Sequence, residues 1–326
     1  MATDVVGEIT ALLAMAKPRP RLMWLLLPRS NGLDHSIRVW VLDGYDFRQV
    51  THFRDERLGE IQGLVYCPNH SLLVATSGFG GRVWRWRWQD RLDREMEGLD
   101  GTASTALSLS PDGSHVAAAD RKTTHIWKLG DQVKHKGTLD GRGPDIVSTA
   151  FTADGLGIYT GNVQGIVQSW KLAWRKFRVE CTFAAHVGPV HALVSSPDCR
   201  HIATAGTDGA VRIWTVDREP DLEATISGGL RGVARKIVYL GRGESLLSIS
   251  DAGQVAQWRA KDASKEAEWR LNQAVTSCQA IADQGRLVAV GRTDGTVHVY
   301  TLASVPESSL FSTAQPPPNA AEAPAP

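Results

Sequence analysis

Ten histidines, four cysteines and 35 acidic side chains are enough to hold a metal or run acid–base chemistry, so what they can do depends on their spacing. The histidines are scattered, and the nearest pair, His186 and His191, lies five apart across a loop and a strand, which is not a ligand spacing. Cys67, Cys181, Cys199 and Cys278 form no C-x-x-C pair and read as unpaired thiols of a reducing compartment. The sequence contains no G-x-x-x-x-G-K-[ST] phosphate loop, no H-E-x-x-H zinc helix and no G-x-S-x-G elbow. The glycine-rich run Ser77–Gly81 precedes a strand pattern, so it offers no helix N-terminus to a pyrophosphate and reads as a turn. Neither a cofactor nor a metal is expected.

Trp84, Trp86 and Trp88 alternate with Arg85 and Arg87, a pattern that would suit base stacking on single-stranded nucleic acid. The same alternation is what a strand produces by itself, with all three indoles on one face. With 36 basic against 35 acidic residues the net charge is +1, which lacks the electrostatic footprint of a nucleic-acid binder. The apolar run Leu22–Leu27 is too short for a signal-peptide core, and no stretch reaches the ~18 apolar residues of a membrane span. The expectation is a soluble, cytoplasmic protein whose partners are neither nucleic acid nor membrane.

The elements that would position any site come from an internal repeat. Trp40, Trp86, Trp127, Trp170, Trp214, Trp258 and Tyr300 each end a β-like run, at intervals of 41 to 46 residues. A glycine sits five residues ahead of five of these aromatics, at Gly81, Gly165, Gly209, Gly253 and Gly295. Ser110–Gly113 (SPDG) and Ser196–Cys199 (SPDC) mark tight turns, in which Pro pre-sets one dihedral and Asp tolerates the next. The register predicts first strands at Glu8–Ala14, Glu60–Tyr66, Ser104–Leu109, Ile146–Phe151, Val190–Val194, Ala234–Leu240 and Val275–Ile281. A second strand, a third ending on the aromatic and a fourth such as Phe177–Phe183 or Leu222–Ile226 complete each unit. Long amphipathic helices are excluded, because Gly and turn residues interrupt every 3.6-residue period.

The fifth unit, with Ala185-His186, Ser196–Asp198 and AGTDGAVRIWTVD from Ala205 to Asp217, resembles a WD repeat, and the likeness extends from about Val5 to Leu310. It implies an all-β, seven-bladed β-propeller with four antiparallel strands per blade. It also implies a structural hydrogen-bond network joining His186, Thr204 (or Thr207), Asp208 and Trp214, in which the Asp orients the His and the indole N–H closes the set. Only the fifth unit carries both the His and the turn Asp, and no anchor is followed by the family's usual Asp. Arg85, Ser169 and Gln257 replace the usual aliphatic residue before the anchor and are expected near the outer rim or in less stable blades.

One propeller over 1–311 and a Pro/Ala-rich disordered tail over 312–326 is the expected organisation. Either Thr3–Val6 or Ser308–Ser312 could supply the last outer strand, and the second lies at the better distance after Tyr300. The first strands that would line the channel carry only Glu8 and Glu60 as acids, too few for a hard-cation cage. The resemblance implies a non-catalytic scaffold, a monomeric propeller within a complex, that binds other proteins or peptides on the face of the second-to-third-strand turns. Candidate contacts there are Arg121, Gln164, Thr207, Arg292 and Thr293, with Trp24 and Phe79 as aromatic anchors. The alternatives are a propeller enzyme of hydrolase or lactonase type, or the sensor module of a larger signalling protein.

Overall fold

A computed structural model describes residues 106–130, 132–140, 143–172, 177–216 and 219–271 in full; elsewhere it describes the strands named below, with the side chains of Val65 and Val74–Thr76. The strands form seven four-stranded sheets, each an antiparallel meander in chain order. The first blade comprises Leu12–Met15, Arg21–Leu26, Ser36–Asp43 and Asp46–Arg54, and the second Ile61–Cys67, Leu72–Ser77, Val83–Arg87 and Leu92–Met96. The third runs through Ser104–Leu109, His115–Asp120, Thr123–Lys128 and Lys134–Asp140, and the fourth through Ile146–Phe151, Gly157–Asn162, Ile166–Leu172 and Phe177–Ala184. The fifth holds Val190–Ser195, His201–Gly206, Val211–Thr215 and Leu222–Ile226, the sixth Ala234–Leu240, Ser245–Ser250, Gln254–Arg259 and Lys265–Arg270, and the seventh Cys278–Ala282, Leu287–Gly291, Val297–Thr301 and Thr313–Ala314. First strands of successive blades lie side by side from the second blade to the seventh, and that of the seventh lies beside that of the first. No helix occurs among the described residues. The architecture is the all-β, seven-bladed propeller that the repeat predicts.

In the first blade the inner strand pairs Leu12 with Trp24 and Met15 with Arg21, and in the seventh Cys278 faces Gly291; the starts expected at Glu8 and Val275 lie outside the described residues. The seventh blade is completed from the carboxyl-terminal side, where Thr313 pairs with Tyr300 and Ala314 with Val299. That strand lies just past the Ser308–Ser312 stretch and beyond the boundary drawn at 311. Thr3–Val6, Glu8, Glu60 and the tail from 315 to 326 lie outside the described residues.

Burial explains the composition of each strand. Second strands are covered on both faces by neighbouring blades, so they read as unbroken small or aliphatic runs: Val116–Ala119 are 0% exposed, as are Leu246, Leu247 and Ile249. Fourth strands at the rim are largely exposed, as in Lys134–Asp140. Anchors from third strands fill the seams: Trp170 packs with Ala117, Ile126, Phe151 and Ile158 of the third and fourth blades, and Trp214 with Tyr159 and Val167 of the fourth. In blades one to six the fourth strand carries a bulge opposite the anchor, for example where Ile213 faces Ala224 but Trp214 faces Leu222. A bulge re-aims the side chain beside it. Ser169, expected near the outer rim or in a less stable blade, is buried, whereas Gln257 donates to Glu266 Oε2 at 2.9 Å; the side chain of Arg85 lies outside the described residues.

The glycine five residues ahead of the anchor has a backbone reason. Gly165, Gly209 and Gly253 adopt φ of 86°, 75° and 77°, where L side chains are strained, and a Cβ on Gly165 would collide with the His186 carbonyl. Turns between first and second strands share another device. Ser110 Oγ donates to Asp112 Oδ1 and accepts from the His115 N–H, and Ser196 does the same with Asp198 and His201. Thr152 and Asp154 repeat it in the fourth blade. Gly113 and Gly155 occupy the left-handed position after the aspartate, but in the fifth blade Cys199 occupies it at φ 58°. Cys199→Gly should therefore raise stability by roughly 0.5–1 kcal/mol, read as a higher denaturant midpoint. An unchanged or lower midpoint would contradict it.

Candidate functional site

The fifth blade brings four side chains together from four elements. His186 sits in the connection entering the blade, Thr204 on its second strand, Asp208 in the following turn and Trp214 at the end of its third strand. Asp208 Oδ1 is 2.8 Å from His186 Nδ1, His186 Nε2 is 2.8 Å from Thr204 Oγ1, and Trp214 Nε1 is 3.0 Å from the same hydroxyl. A carboxylate only accepts, so Nδ1 carries the imidazole proton and Nε2 accepts from Thr204. The donors run in one direction: indole to hydroxyl, hydroxyl to imidazole, imidazole to carboxylate. Arg212 Nη1 donates to Asp208 Oδ2 at 2.6 Å and to the Ala185 carbonyl at 3.1 Å. Its equally close approach to His186 Nδ1 is a contact and no hydrogen bond, that nitrogen's proton being committed to Asp208.

Electrostatics agree with this assignment. Burial holds the His186 pKa below its ordinary value, outweighing the pull of Asp208, so the ring is neutral. Burial pushes Asp208 up, but the bonds from Arg212 and His186 outweigh it and hold the carboxyl at about 2.

Carboxylate, imidazole and hydroxyl stand here in the order of a hydrolytic triad. Geometry forbids that use. Thr204 is 0% exposed and its oxygen is already held by Trp214, so no substrate carbonyl can approach it. The set closes the blade by tying the incoming connection, two strands and a turn to one another.

Other blades carry fragments of the same device. Trp170 Nε1 donates to Thr160 Oγ1 at 3.0 Å and Trp258 Nε1 to Ser248 Oγ at 2.8 Å. Sequence reading missed both; a hydroxyl residue ten positions before the anchor is the signal that finds them. In the sixth blade Gln254, 2% exposed, replaces the His–Asp pair: its amide donates to the Gly229 carbonyl and its oxygen accepts from the Arg231 N–H, pinning the incoming connection.

Of the expected contact residues, Arg121, Gln164 and Thr207 are exposed, each beside or within a second-to-third-strand turn. Trp24 is placed differently, within the strand Arg21–Leu26 and paired with Leu12 and Trp40, so it is no turn residue. Its run of apolar residues belongs to a second strand. Phe79, Arg292 and Thr293 lie outside the described residues. Missed on the same face is a polar chain linking two blades. Thr207 Oγ1 is 2.8 Å from His191 Nε2, Arg235 Nη1 is 3.1 Å from His191 Nδ1, and Arg235 Nη2 is 3.1 Å from Asp251 Oδ2. His191 and Arg235 occupy the bulge positions of their first strands, which the register shifts at Val190/Ala192 and Ala234/Lys236 turn outward. Also missed is Val187, next to His186 and 84% exposed.

Comparisons with known proteins give one picture. Residues 177–215 match the sequence model of the WD domain, G-beta repeat, a stretch that contains His186, Thr204, Asp208 and Trp214. Telomerase protein component 1 of Rattus norvegicus is 25% identical over 266 residues, which is 77% of this chain and 9% of that protein. Target of rapamycin complex subunit LST8 of Mus musculus is 23% identical over 163 residues, 48% of this chain and 50% of that protein. The chain thus spans half or less of the length of these relatives. Among solved structures, Sqt1 of Chaetomium thermophilum, bound to the N-terminus of the ribosomal protein L10, superposes with a TM-score of 0.72 at 18% identity over 90% of this chain and 84% of that one, a likeness of fold.

Asp208→Ala leaves His186 Nδ1–H without its acceptor and Arg212 with only the Ala185 carbonyl, and should cost about 1–3 kcal/mol, seen as a lower melting temperature; an unchanged value would contradict a structural role. Burial likewise holds His191, His115 and His135 below their ordinary pKa of 6.5. Below pH 6.5 the unfolded chain takes up protons that the folded chain refuses, so stability should fall as pH drops from 7 towards 5. Thermal melts across that range check the sign.

Proposed function

We propose that this WD-repeat β-propeller is a non-catalytic scaffold that docks other proteins or peptides on the face carrying its second-to-third-strand turns. The observation that carries the reading is the disposition of polar groups in the fifth blade. Its one triad-like constellation is sealed inside the blade, whereas Thr207 and Val187 stand exposed at the blade's edge, with Gln164 exposed in the corresponding turn of the fourth blade. Exposed turns on a stiff closed frame can vary without disturbing the core. An apolar Val187 flanked by polar residues fits the core-and-rim composition of a docking patch. A standard interface needs about 800 Å² per partner, an area such a face can offer. The relatives named above are consistent with the scaffold reading: one is by name a subunit of a complex, and the propeller of Sqt1 is bound to a peptide segment of another protein. A monomeric state within a complex and a cytoplasmic setting belong to the same proposal; among the described residues no helix is long and apolar enough to cross a membrane.

Affinity purification with crosslinking from the native cell, comparing wild type with a variant carrying Gln164→Ala, Thr207→Ala and Val187→Ser, tests the face. The expected outcome is loss of crosslinked partners, with affinity reduced about tenfold or more and the melting temperature unchanged. Full retention of every partner by a folded variant would defeat the assignment. Metal analysis of the purified protein addresses the hydrolase alternative, since a stoichiometric cation with turnover would favour an enzyme.

A further inference from the structure

Ten residues apart in the chain, His125 and His135 meet at the outer edge of the third blade. His125 lies on the third strand opposite Thr138, and His135 on the fourth opposite the anchor Trp127. The bulge at Ile126/Trp127 decides this: without it Lys136 would face Trp127, and His135 would point to the other side of the sheet. His125 is buried and stacks on Trp127 with ring centroids 5.8 Å apart, and the exposed His135 meets the same indole edge-on at 5.7 Å. One buried tryptophan thus positions both imidazoles.

Hydrogen bonding fixes which nitrogen of His125 is free. Thr123 Oγ1 donates to Asp120 Oδ1 at 2.6 Å, so its lone pairs face His125 Nε2 at 3.2 Å, and Asp120 Oδ2 lies 3.5 Å from that nitrogen. A hydroxyl whose proton is committed and a carboxylate can only accept, so Nε2 carries the imidazole proton. Nδ1 then turns a lone pair towards His135 Nε2 and Thr138 Oγ1, each 3.4 Å away. Both separations are long for a hydrogen bond. They match two ligand atoms about 2.0–2.1 Å from one tetrahedral ion, which stand about 3.3–3.4 Å apart. The exposed His135 ring can carry its proton on Nδ1, which leaves Nε2 to coordinate. Asp120 behind His125 is moreover the carboxylate–imidazole pairing that orients a ligating histidine.

We propose that His125 Nδ1 and His135 Nε2 bind a divalent transition-metal ion, with Thr138 beside it and water in the remaining positions. Neutral imidazoles suit zinc, copper and nickel and offer little to calcium or magnesium, and the spacing fits zinc. Among the described residues no third imidazole, thiolate or carboxylate joins the pair, so the ion is held openly and exchanges. It would tie the exposed fourth strand to the third. The site does not rest on the docking reading, and neither histidine is among the docking residues.

Isothermal titration calorimetry of the full chain with zinc chloride tests the site, with His135→Gln as the variant because that side chain is exposed. Wild type should take up one equivalent of zinc that the variant binds about tenfold or more weakly. Zinc should raise the melting temperature of the wild type and not that of the variant, while the two melt alike in the presence of a chelator. Absence of saturable zinc binding by the wild type, equal affinity in His135→Gln, or an equal rise in melting temperature for both would overturn the proposal.

Discussion

A strand buried on both faces has nowhere to put a polar side chain except against another polar side chain. Most of this molecule follows from that constraint. Second strands sit between neighbouring blades, so they are built mostly of Val, Ala, Leu and Ile, and the hydroxyl residues within them, Thr76, Thr160, Thr204, Ser248 and Ser250, are 0–2% exposed. Thr160, Thr204 and Ser248 are each met by an indole N–H from the next strand. The tryptophan is suited to this place because one side chain supplies a large apolar body for the seam and one donor for the orphan oxygen. Its recurrence is the mark of a packing solution used several times over.

That physics decides how much of the molecule is legible in the chain. Anchor spacing depends on blade size, so the number of blades, the strand order and most inner-strand limits can be read directly. The hydrogen-bond partners are harder, because a threonine in an apolar run looks like any β-branched strand former; only alignment on the anchor shows that Thr160 and Ser248 stand where Thr204 does. Trp24 misleads for the converse reason. An aromatic next to a turn-rich region resembles a surface anchor, but its neighbours Leu22, Met23, Leu25 and Leu26 are the composition of a second strand. His191 and Arg235 could not be placed at all, since a one-residue bulge reverses which way a side chain faces and leaves no trace in composition.

The same constraint separates structure from function within one residue set. His186, Asp208 and Thr204 have the order of a catalytic relay, and a search by residue type alone would take them for one. Burial of the hydroxyl and its second commitment to Trp214 turn the relay into a clasp. His186 is neutral because it is buried, and it is useful because it is neutral: only that form can accept from Thr204 while donating to Asp208. An imidazolium would have two donors, and the threonine hydroxyl would then have to accept from Nε2 as well as from the Trp214 indole.

Because the blades consume their own polar groups, whatever chemistry the propeller offers must lie where the meander reverses direction or along its exposed outer strands. The two sets of turns then differ in what their carboxylates hold. On the face of the second-to-third-strand turns the carboxylates of Asp208 and Asp251 hold Arg212 and Arg235, and Val187 is exposed beside them. On the other face the aspartates hold their own turns, as Asp112, Asp154 and Asp198 each accept from the serine or threonine two residues earlier and from a backbone N–H. Holding a turn does not spend an acid's charge: Asp208 accepts from the Ala210 N–H of its own turn and still holds Arg212, and Asp262 accepts from the Ser264 N–H while pairing with Arg259.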